Sequence, residues 1–356
     1  MNLAPISVTK TTQPIAKPDV NNLGFGQYFT DHMFVAKYSD DKGWYESKIV
    51  PYGPLPLDPA ASVLHYGQAL FEGMKAFRQQ NGDIALFRME YNWKRMQLGA
   101  ERLCMVAPPK ELFLQGIREL VKIDQDWIPT NKGSALYIRP TLIGSEGFLG
   151  VRPSREYLYF IILSPVGAYY KSGLSPVSIW VEEDYSRACP GGLGNTKAAA
   201  NYASSLKAAY EAKKNDYAQV LWLDITRTYV EEVGTMNVFF VFKNEIVTPS
   251  LDGTILAGGM RDSVISVLKQ WKLPIVERKI KLQEIRDGAT NGTLVEAFGT
   301  GTAAVISPVG EFAAKNWKVK INNGQMGDVT TKLYQELTDI QYGYKADTLN
   351  WIEKLK

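Results

Sequence analysis

In the second half of this chain, short apolar segments follow one another with helical patterns only at intervals. That spacing excludes the regular strand–helix alternation of a doubly wound parallel sheet. Strand patterns are expected at residues 177–181, 219–223, 238–242, 246–248, 293–298 and 304–307. Helical patterns are expected from the glycine-rich loop at 191–194 to about 215, at 262–271, and at 329–340. The first half opens with a mixed apolar run at 29–38 and a helix around 60–72. A hairpin follows, 74–78 and 84–88 about Asn81-Gly82, whose dipeptide signals a type I′ turn. Helices at 91–103 and 110–124 and strands at 135–143 and 157–163 complete an α+β pattern.

At 356 residues the chain is longer than one hydrophobic core usually serves. Residues 167–175 read Gly-Ala-Tyr-Tyr-Lys-Ser-Gly-Leu-Ser, turn chemistry without an apolar face. The expected division is therefore a flexible arm at 1–22, a small N-terminal α/β domain at 23–167, a linker at 168–175, and a larger mixed β/α domain at 176–356. No repeat of solenoid period is present.

Apolar residues make up 45 % and charged residues 22 %, values typical of a soluble globular protein. A net charge of +3 with both signs interspersed, and no long basic block, argues against a nucleic-acid partner. The longest apolar run, 157–163, is far below the roughly 20 residues of a membrane helix. Cys104 and Cys189 are too few and too isolated for a disulfide framework or a metal site. The first 22 residues carry neither a secretory nor a transit pattern. The expectation is a cytoplasmic protein with no membrane partner and no metal.

The chemistry is concentrated in Gly191-Gly192-Leu193-Gly194-Asn195-Thr196-Lys197-Ala198-Ala199-Ala200-Asn201-Tyr202. Most lysines at the head of a helix are solvated. Here glycines permit tight turns and close ligand approach, and three alanines leave space beside the amine for a planar cofactor. A lysine shielded from water deprotonates more easily, and the neutral amine is the form that attacks an aldehyde to give a Schiff base.

Such a cofactor needs partners. Glu231-Glu232-Val233-Gly234-Thr235-Met236-Asn237 places two acids on one strand, so that one can face inward toward a ring nitrogen; an exposed acidic turn is the alternative. Gly258-Gly259-Met260-Arg261 leads into a helix, and a glycine-rich helix start is an anion site. Phe298-Gly299-Thr300-Gly301-Thr302-Ala303 offers hydroxyls and amides for a phosphate or carboxylate, or is simply a strand exit.

Together these segments resemble the branched-chain amino acid aminotransferases, pyridoxal 5′-phosphate (PLP) enzymes of fold type IV, the class IV aminotransferases whose fold is like that of D-amino acid aminotransferase. Phe25-Gly26-Gln27-Tyr28-Phe29, Leu64-His65-Tyr66-Gly67, Phe71-Glu72-Gly73-Met74 and Tyr137-Ile138-Arg139-Pro140 are similar to that family's substrate-side segments. The resemblance implies that Lys197 binds the cofactor aldehyde and shuttles the proton, that Glu232 pairs with the ring nitrogen, and that Tyr202 meets the ring oxygen. Arg95, Gly259, Met260 and Thr302 would clasp the phosphate, with Thr235 also at the cofactor. Thr302 and Ala303 would receive the substrate α-carboxylate. Phe25, Tyr66, Phe71, Tyr137 and Tyr169 resemble pocket walls, and Arg139 with Gln219 would serve the γ-carboxylate of glutamate. Leu149 and Val151 match positions that reach into a partner subunit's site, which implies a homodimer at least.

The reaction implied is ping-pong transfer of an amino group from L-leucine, L-isoleucine or L-valine to 2-oxoglutarate. Amino acids and 2-oxo acids are thus the expected small-molecule partners. The alternatives within the fold are a D-amino acid transaminase or an aminodeoxychorismate lyase, which lack much of the matched N-terminal half. Outside it stands a non-catalytic cofactor-binding protein.

Overall fold

A computed structural model describes residues 5–167 and 174–355. Most of the segment expected as a linker, with Tyr169 in it, lies outside the described residues. Two compact units emerge. The first comprises the described parts of Met1–Tyr169 with Thr196–Ala200 and Asp339–Lys356, and the second those of Tyr170–Asn195 with Asn201–Thr338. The lysine segment and the C-terminal tail thus group with the first unit, although position along the chain assigns everything after residue 175 to the second.

The first unit runs β1 (Ser7–Val8), β2 (His32–Ser39), β3 (Gly43–Pro51), α1 (Ser62–Tyr66), β4 (Ala69–Phe71), β5 (Met74–Arg78), β6 (Ile84–Phe87), α2 (Met89–Arg102), α3 (Lys110–Ile123), β7 (Ala135–Gly144) and β8 (Glu156–Val166). Its sheet has the order β1-β3-β2-β8-β7-β5-β6, with the C-terminal strand Ile352–Leu355 beyond β6 and with β4 against β7. All of these pairings are antiparallel except that of β1 with β3. Helix α3 lies close to this sheet: a Cβ on Gly116 would stand 3.2 Å from the Phe34 ring and 3.3 Å from Ile161. Phe113 stacks on buried Tyr159 beside it.

Three expectations are corrected here. The helix expected at 60–72 is only the five-residue α1, because Gly67 ends it in the left-handed region at φ +61°. The apolar residues beyond it, Leu70 and Phe71, pair with Leu142 and Thr141 as a strand. The hairpin β5–β6 forms, but between its strands only Gly82 has positive φ, and Gly82 N donates to Gln79 O at 2.9 Å. That is a type I turn closed by a left-handed glycine rather than type I′. Residues expected in a flexible arm are tied down: Ser7 and Val8 pair with Lys48 and Ile49, Thr11 N donates to His32 Nε2 at 2.9 Å, and Ile15 N to Asp31 Oδ1 at 2.7 Å.

The second unit contains β9 (Val177–Val181), most of α4 (Ala199–Lys214), β10 (Gln219–Leu223), β11 (Val230–Val233), β12 (Met236–Phe242), β13 (Ile246–Thr248), α5 (Gly259–Gln270), β14 (Ile275–Glu277), α6 (Leu282–Asn291), β15 (Leu294–Gly301), β16 (Val305–Ala314), β17 (Trp317–Lys320) and most of α7 (Asp328–Tyr342). Its sheet follows β11-β10-β9-β16-β15-β12-β13-β14, and β11 also pairs with β12. The first six of these strands therefore close into a ring. Ile179, Leu221, Val238, Phe240, Val309 and Phe312 belong to one fully buried cluster contributed by that ring. The antiparallel neighbours β10–β11–β12 and β15–β16 follow one another without crossover helices, whereas the parallel pair β9–β10 is bridged by α4, which gives the sequence its helical patterns only at intervals. The start of α7 is capped from β15: the Glu296 carboxylate accepts from Val329 N and Thr330 N at 3.0 and 2.8 Å.

Candidate active site

Lys197 reaches its position because its backbone joins a strand edge. Phe71 N donates to Lys197 O at 3.2 Å, and Ala198 bridges to Leu70. The side chain is half-buried, and Nζ lies 4.7 Å from the centroid of the Phe71 ring. Burial, with the Arg95 cation as the next cause, pulls its pKa from 10.5 down to about 8. An ammonium in this environment gives up its proton within reach of neutral pH.

Around it the first unit assembles five of the other expected residues. Arg139 from β7 stacks over Phe71 at 4.6 Å and donates to the Tyr137 hydroxyl at 3.1 Å. Tyr137 meets Phe25 edge to face at 4.9 Å. This aromatic cluster depends on Gly73, where a Cβ would fall 1.9 Å from Tyr137 Oη. Arg95 on α2 is held by Glu72, Nε to Oε1 at 2.8 Å and Nη2 to Oε2 at 2.6 Å. Asn92 Nδ2 donates to the same carboxylate at 2.7 Å.

Tyr66 stands apart from this group, 43 % exposed, with its hydroxyl donating to Leu149 O. Leu149 and Val151 are 59 % and 85 % exposed, so two apolar side chains stand in solvent on this one loop.

In the second unit both acids of the pair are buried, Glu231 at 5 % and Glu232 at 4 % exposure, which removes the exposed-turn alternative. Glu232 Oε1 accepts from Leu256 N at 2.8 Å, and Oε2 lies 3.4 Å from Arg187 Nε. Burial pushes the Glu231 carboxyl up. Gly234 and Thr235 form the turn that ends β11, with Thr235 exposed; a Cβ on Gly234 would lie 2.1 Å from Gln219 Oε1. Tyr202 is half-buried on the first turns of α4, where the neighbouring Asn201 Nδ2 holds Leu193 O of the glycine loop at 2.7 Å.

Helix α5 begins at Gly259, with Gly258 as a cap residue that carries no side chain and with Met260 buried behind it. A Cβ on Gly258 would lie 2.0 Å from Asn237 Oδ1, so the backbone passes close to the strand. Thr302 and Ala303 form the half-buried turn between β15 and β16. The turn closes on Val305 at φ +63°, a left-handed conformation that is costly for a β-branched residue. Thr300 Oγ1 donates to Val305 O at 2.8 Å and holds it there.

Sequence reasoning missed Glu72 and Arg187. The available signal was indirect: an arginine or a carboxylate expected to be buried requires an opposite charge nearby. Among the described residues, no group of His, Cys, Asp and Glu could hold a metal ion, and no helix is long and apolar enough to cross a membrane.

Comparison with known proteins places this geometry in a family. The model for class IV aminotransferases matches residues 69–312. Branched-chain-amino-acid aminotransferase 2 of Bacillus subtilis (strain 168) is 52 % identical over 347 residues, 97 % of this chain and 95 % of the relative. The crystal structure of the branched-chain amino acid aminotransferase of Escherichia coli has a TM-score of 0.75 at 22 % identity, covering 91 % of this chain and 99 % of that one. The branched-chain amino acid aminotransferase of Thermobaculum terrenum, solved in its PLP form (holo form), has a TM-score of 0.74 at 22 % identity, covering 91 % and 98 %. The two solved structures share the α+β fold of type IV, and the match to the family model together with the close relative shows that the chain belongs to the class IV aminotransferases, in the family of branched-chain-amino-acid aminotransferases.

Proposed function

We propose that this protein transfers the amino group of L-leucine, L-isoleucine or L-valine to 2-oxoglutarate, reversibly, with pyridoxal 5′-phosphate as cofactor. The observation that carries the reading is Lys197, a half-buried amine with its pKa drawn down to about 8 between an aromatic face and two arginines. The Bacillus relative bears the name of this activity, and the Thermobaculum relative was solved in its PLP form.

The residues fit such a group chemically. A neutral amine suits an aldehyde, a buried carboxylate suits a protonated ring nitrogen, and an arginine with a bare helix start suits a phosphate. Lys197, Glu232 and Tyr202 would hold the ring and its aldehyde, and Arg95, Gly259, Met260 and Thr302 the phosphate, with Thr235 nearby. When bound, the cofactor supplies an electron sink for negative charge developing at the substrate Cα.

The chain does the rest. Lys197 Nζ, neutral once displaced by substrate, takes and returns the Cα proton as general base and acid. Glu232 holds a proton at the ring nitrogen. Phe25, Phe71 and Tyr137, with Tyr66 and Tyr169, exclude water around an aliphatic side chain. Arg139, already hydrogen-bonded to the Tyr137 hydroxyl, supplies the charge for the γ-carboxylate of glutamate, assisted by Gln219. The Thr302–Ala303 turn receives the α-carboxylate.

Leu149 and Val151, exposed and apolar, support a homodimer in which they are covered. A cytoplasmic location suits these small soluble substrates, and the reading needs neither a nucleic acid nor a membrane. The test is turnover of each branched-chain L-amino acid, with D-alanine as control, using 2-oxoglutarate as acceptor. Formation of L-glutamate from the L-amino acids alone supports the reading, and turnover of D-alanine instead overturns it.

A further inference from the structure

Arg187 is a buried charged side chain of the second unit for which the proposed chemistry has no use. It packs beside Glu232, with side-chain exposures of 8 % and 5 %. A buried guanidinium is retained at a cost unless its charge and donors are met. Its Nη1 and Nη2 donate to Gly194 O at 3.4 and 3.3 Å, and Nη2 also donates to Thr254 O. Nε, 3.4 Å from Glu232 Oε2, makes a charge contact without hydrogen-bond alignment. Glu232 grips the same loop from its other oxygen, through Leu256 N. Gly194 has no room for a side chain: a Cβ there would meet Thr254 O at 2.1 Å and Ala188 Cβ at 2.6 Å.

One guanidinium and one carboxylate thus join three segments: the glycine loop that leads into Lys197, the loop 252–256, and strand β11. We propose that Arg187 is a positioning residue with two separable effects, keeping Glu232 ionised and aligned by its charge and fixing the glycine loop by its two carbonyl contacts. Other charges bear on the cluster. Glu231 neighbours Glu232 on β11, where the Thr254 hydroxyl and the Arg187 charge favour its ionised form and Glu232 opposes it, while exposed Asp252 on the loop accepts from Thr254 Oγ1 at 3.1 Å and pairs with Lys279 Nζ at 3.3 Å. Arg227 holds the segment that carries Arg187, donating to Ser186 Oγ at 2.6 Å and to Glu183 O at 2.8 Å. With Glu231 buried close by, removing the Arg187 charge raises the cost of a second ionised carboxylate at Glu232. The significance of Glu232 rests on the cofactor reading above, whereas its ionisation does not.

The experiment compares Arg187→Lys and Arg187→Met with the wild-type protein, and uses Glu232→Gln to assign the Glu232 signal. In cofactor-free protein carrying isotope-labelled glutamate, the Glu232 carboxylate band is titrated by infrared difference spectroscopy, and amide exchange is followed across residues 192–196. The Met variant is expected to move the Glu232 midpoint upward by about one pH unit or more, since a close opposite charge shifts a carboxyl by that order, and to speed exchange in the loop. The Lys variant is expected to keep the midpoint near wild type while exchange still quickens, because an ammonium supplies charge but not the fork. In loaded enzyme, the Met variant alone gains an acidic limb in the pH profile of the bound cofactor's absorbance. An unchanged midpoint in the Met variant, equal midpoint shifts in both variants, or unchanged loop exchange in both overturns the proposal. A cofactor absorbance profile that Glu232→Gln leaves as wild type would instead refute the placement of Glu232 at the ring nitrogen, and the cofactor-free titration would still decide the role of Arg187.

Discussion

Glu72 grips Arg95 with both carboxylate oxygens, at 2.8 and 2.6 Å, while exposing only 1 % of its own surface. Asn92 Nδ2 and the Gly73 backbone N–H, at 2.7 and 3.4 Å from Oε2, are further donors to it. The arginine assigned to the cofactor phosphate is therefore oriented before any anion arrives, with its planar fork turned by a fixed partner.

Removing that partner leaves a buried, uncompensated guanidinium. Glu72→Ala should lose about 3–5 kcal/mol of stability, the usual cost of breaking a buried pair from one side. Glu72→Gln, which keeps the shape and one acceptor, should lose less. Denaturant unfolding of both variants checks the order, and retention of cofactor on dialysis should fall in the same sequence.

Gly73 makes room for Tyr137. Gly73→Ala places a methyl 1.9 Å from Tyr137 Oη and must displace the ring on which Phe25 packs and to which Arg139 is bonded. The expected result is a destabilisation of about 1–3 kcal/mol, as for other overpacked sites. KM for leucine should rise more than kcat falls, because pocket walls move while Lys197 stays; steady-state kinetics distinguishes the two.

The amine of Lys197 should titrate near pH 8 in cofactor-free protein rather than near 10.5. Because the folded-state pKa is lowered, the neutral, reactive form grows as pH rises through about 8. Arg95 is a lowering cause, so Arg95→Met should move the midpoint upward. Peptide-resolved reductive methylation across pH reads Lys197 separately from Lys75, a buried lysine whose pKa is also drawn down to about 8.

Arg139 should separate the two substrate classes. Loss of a charge-assisted hydrogen bond costs on the order of 1.5–3 kcal/mol, roughly tenfold to hundredfold in rate. Arg139→Met should therefore cut kcat/KM for glutamate by that factor while leaving leucine within a few-fold. Paired initial-rate assays read the ratio, and equal losses would remove Arg139 from the specificity determinants.

What the sequence made legible follows from how local each signal is. The glycine loop, the Glu-Val-Gly-Thr string and the Gly-Gly-Met start of α5 depend on backbone conformation within a few residues, and all could be read directly. Helix α3 and strand β7 show clean periodicity and lie within one or two residues of expectation. Strand β3 was not seen, because it is mostly half-exposed and carries Glu46 and Lys48 among its apolar residues. The helix expected through residue 72 failed because the period of Leu70 and Phe71 is set by pairing with β7, a partner some 70 residues away. Glu72 and Arg187 were invisible for the same reason. Each matters through a residue distant in sequence, and nothing local marks a carboxylate or guanidinium as buried. The strain at Val305 was likewise unreadable, since no β-branched residue advertises a left-handed backbone.

The central claim is that Lys197 is the amine through which this protein moves an amino group. Its most direct test is a single turnover: cofactor-loaded protein mixed with excess L-leucine and no acceptor, with the branched 2-oxo acid quantified against enzyme. About one equivalent of oxo acid per subunit is expected, with a matching change in cofactor absorbance, and neither in Lys197→Ala. Stoichiometric oxo acid from the alanine variant, or none from the wild type, would contradict it.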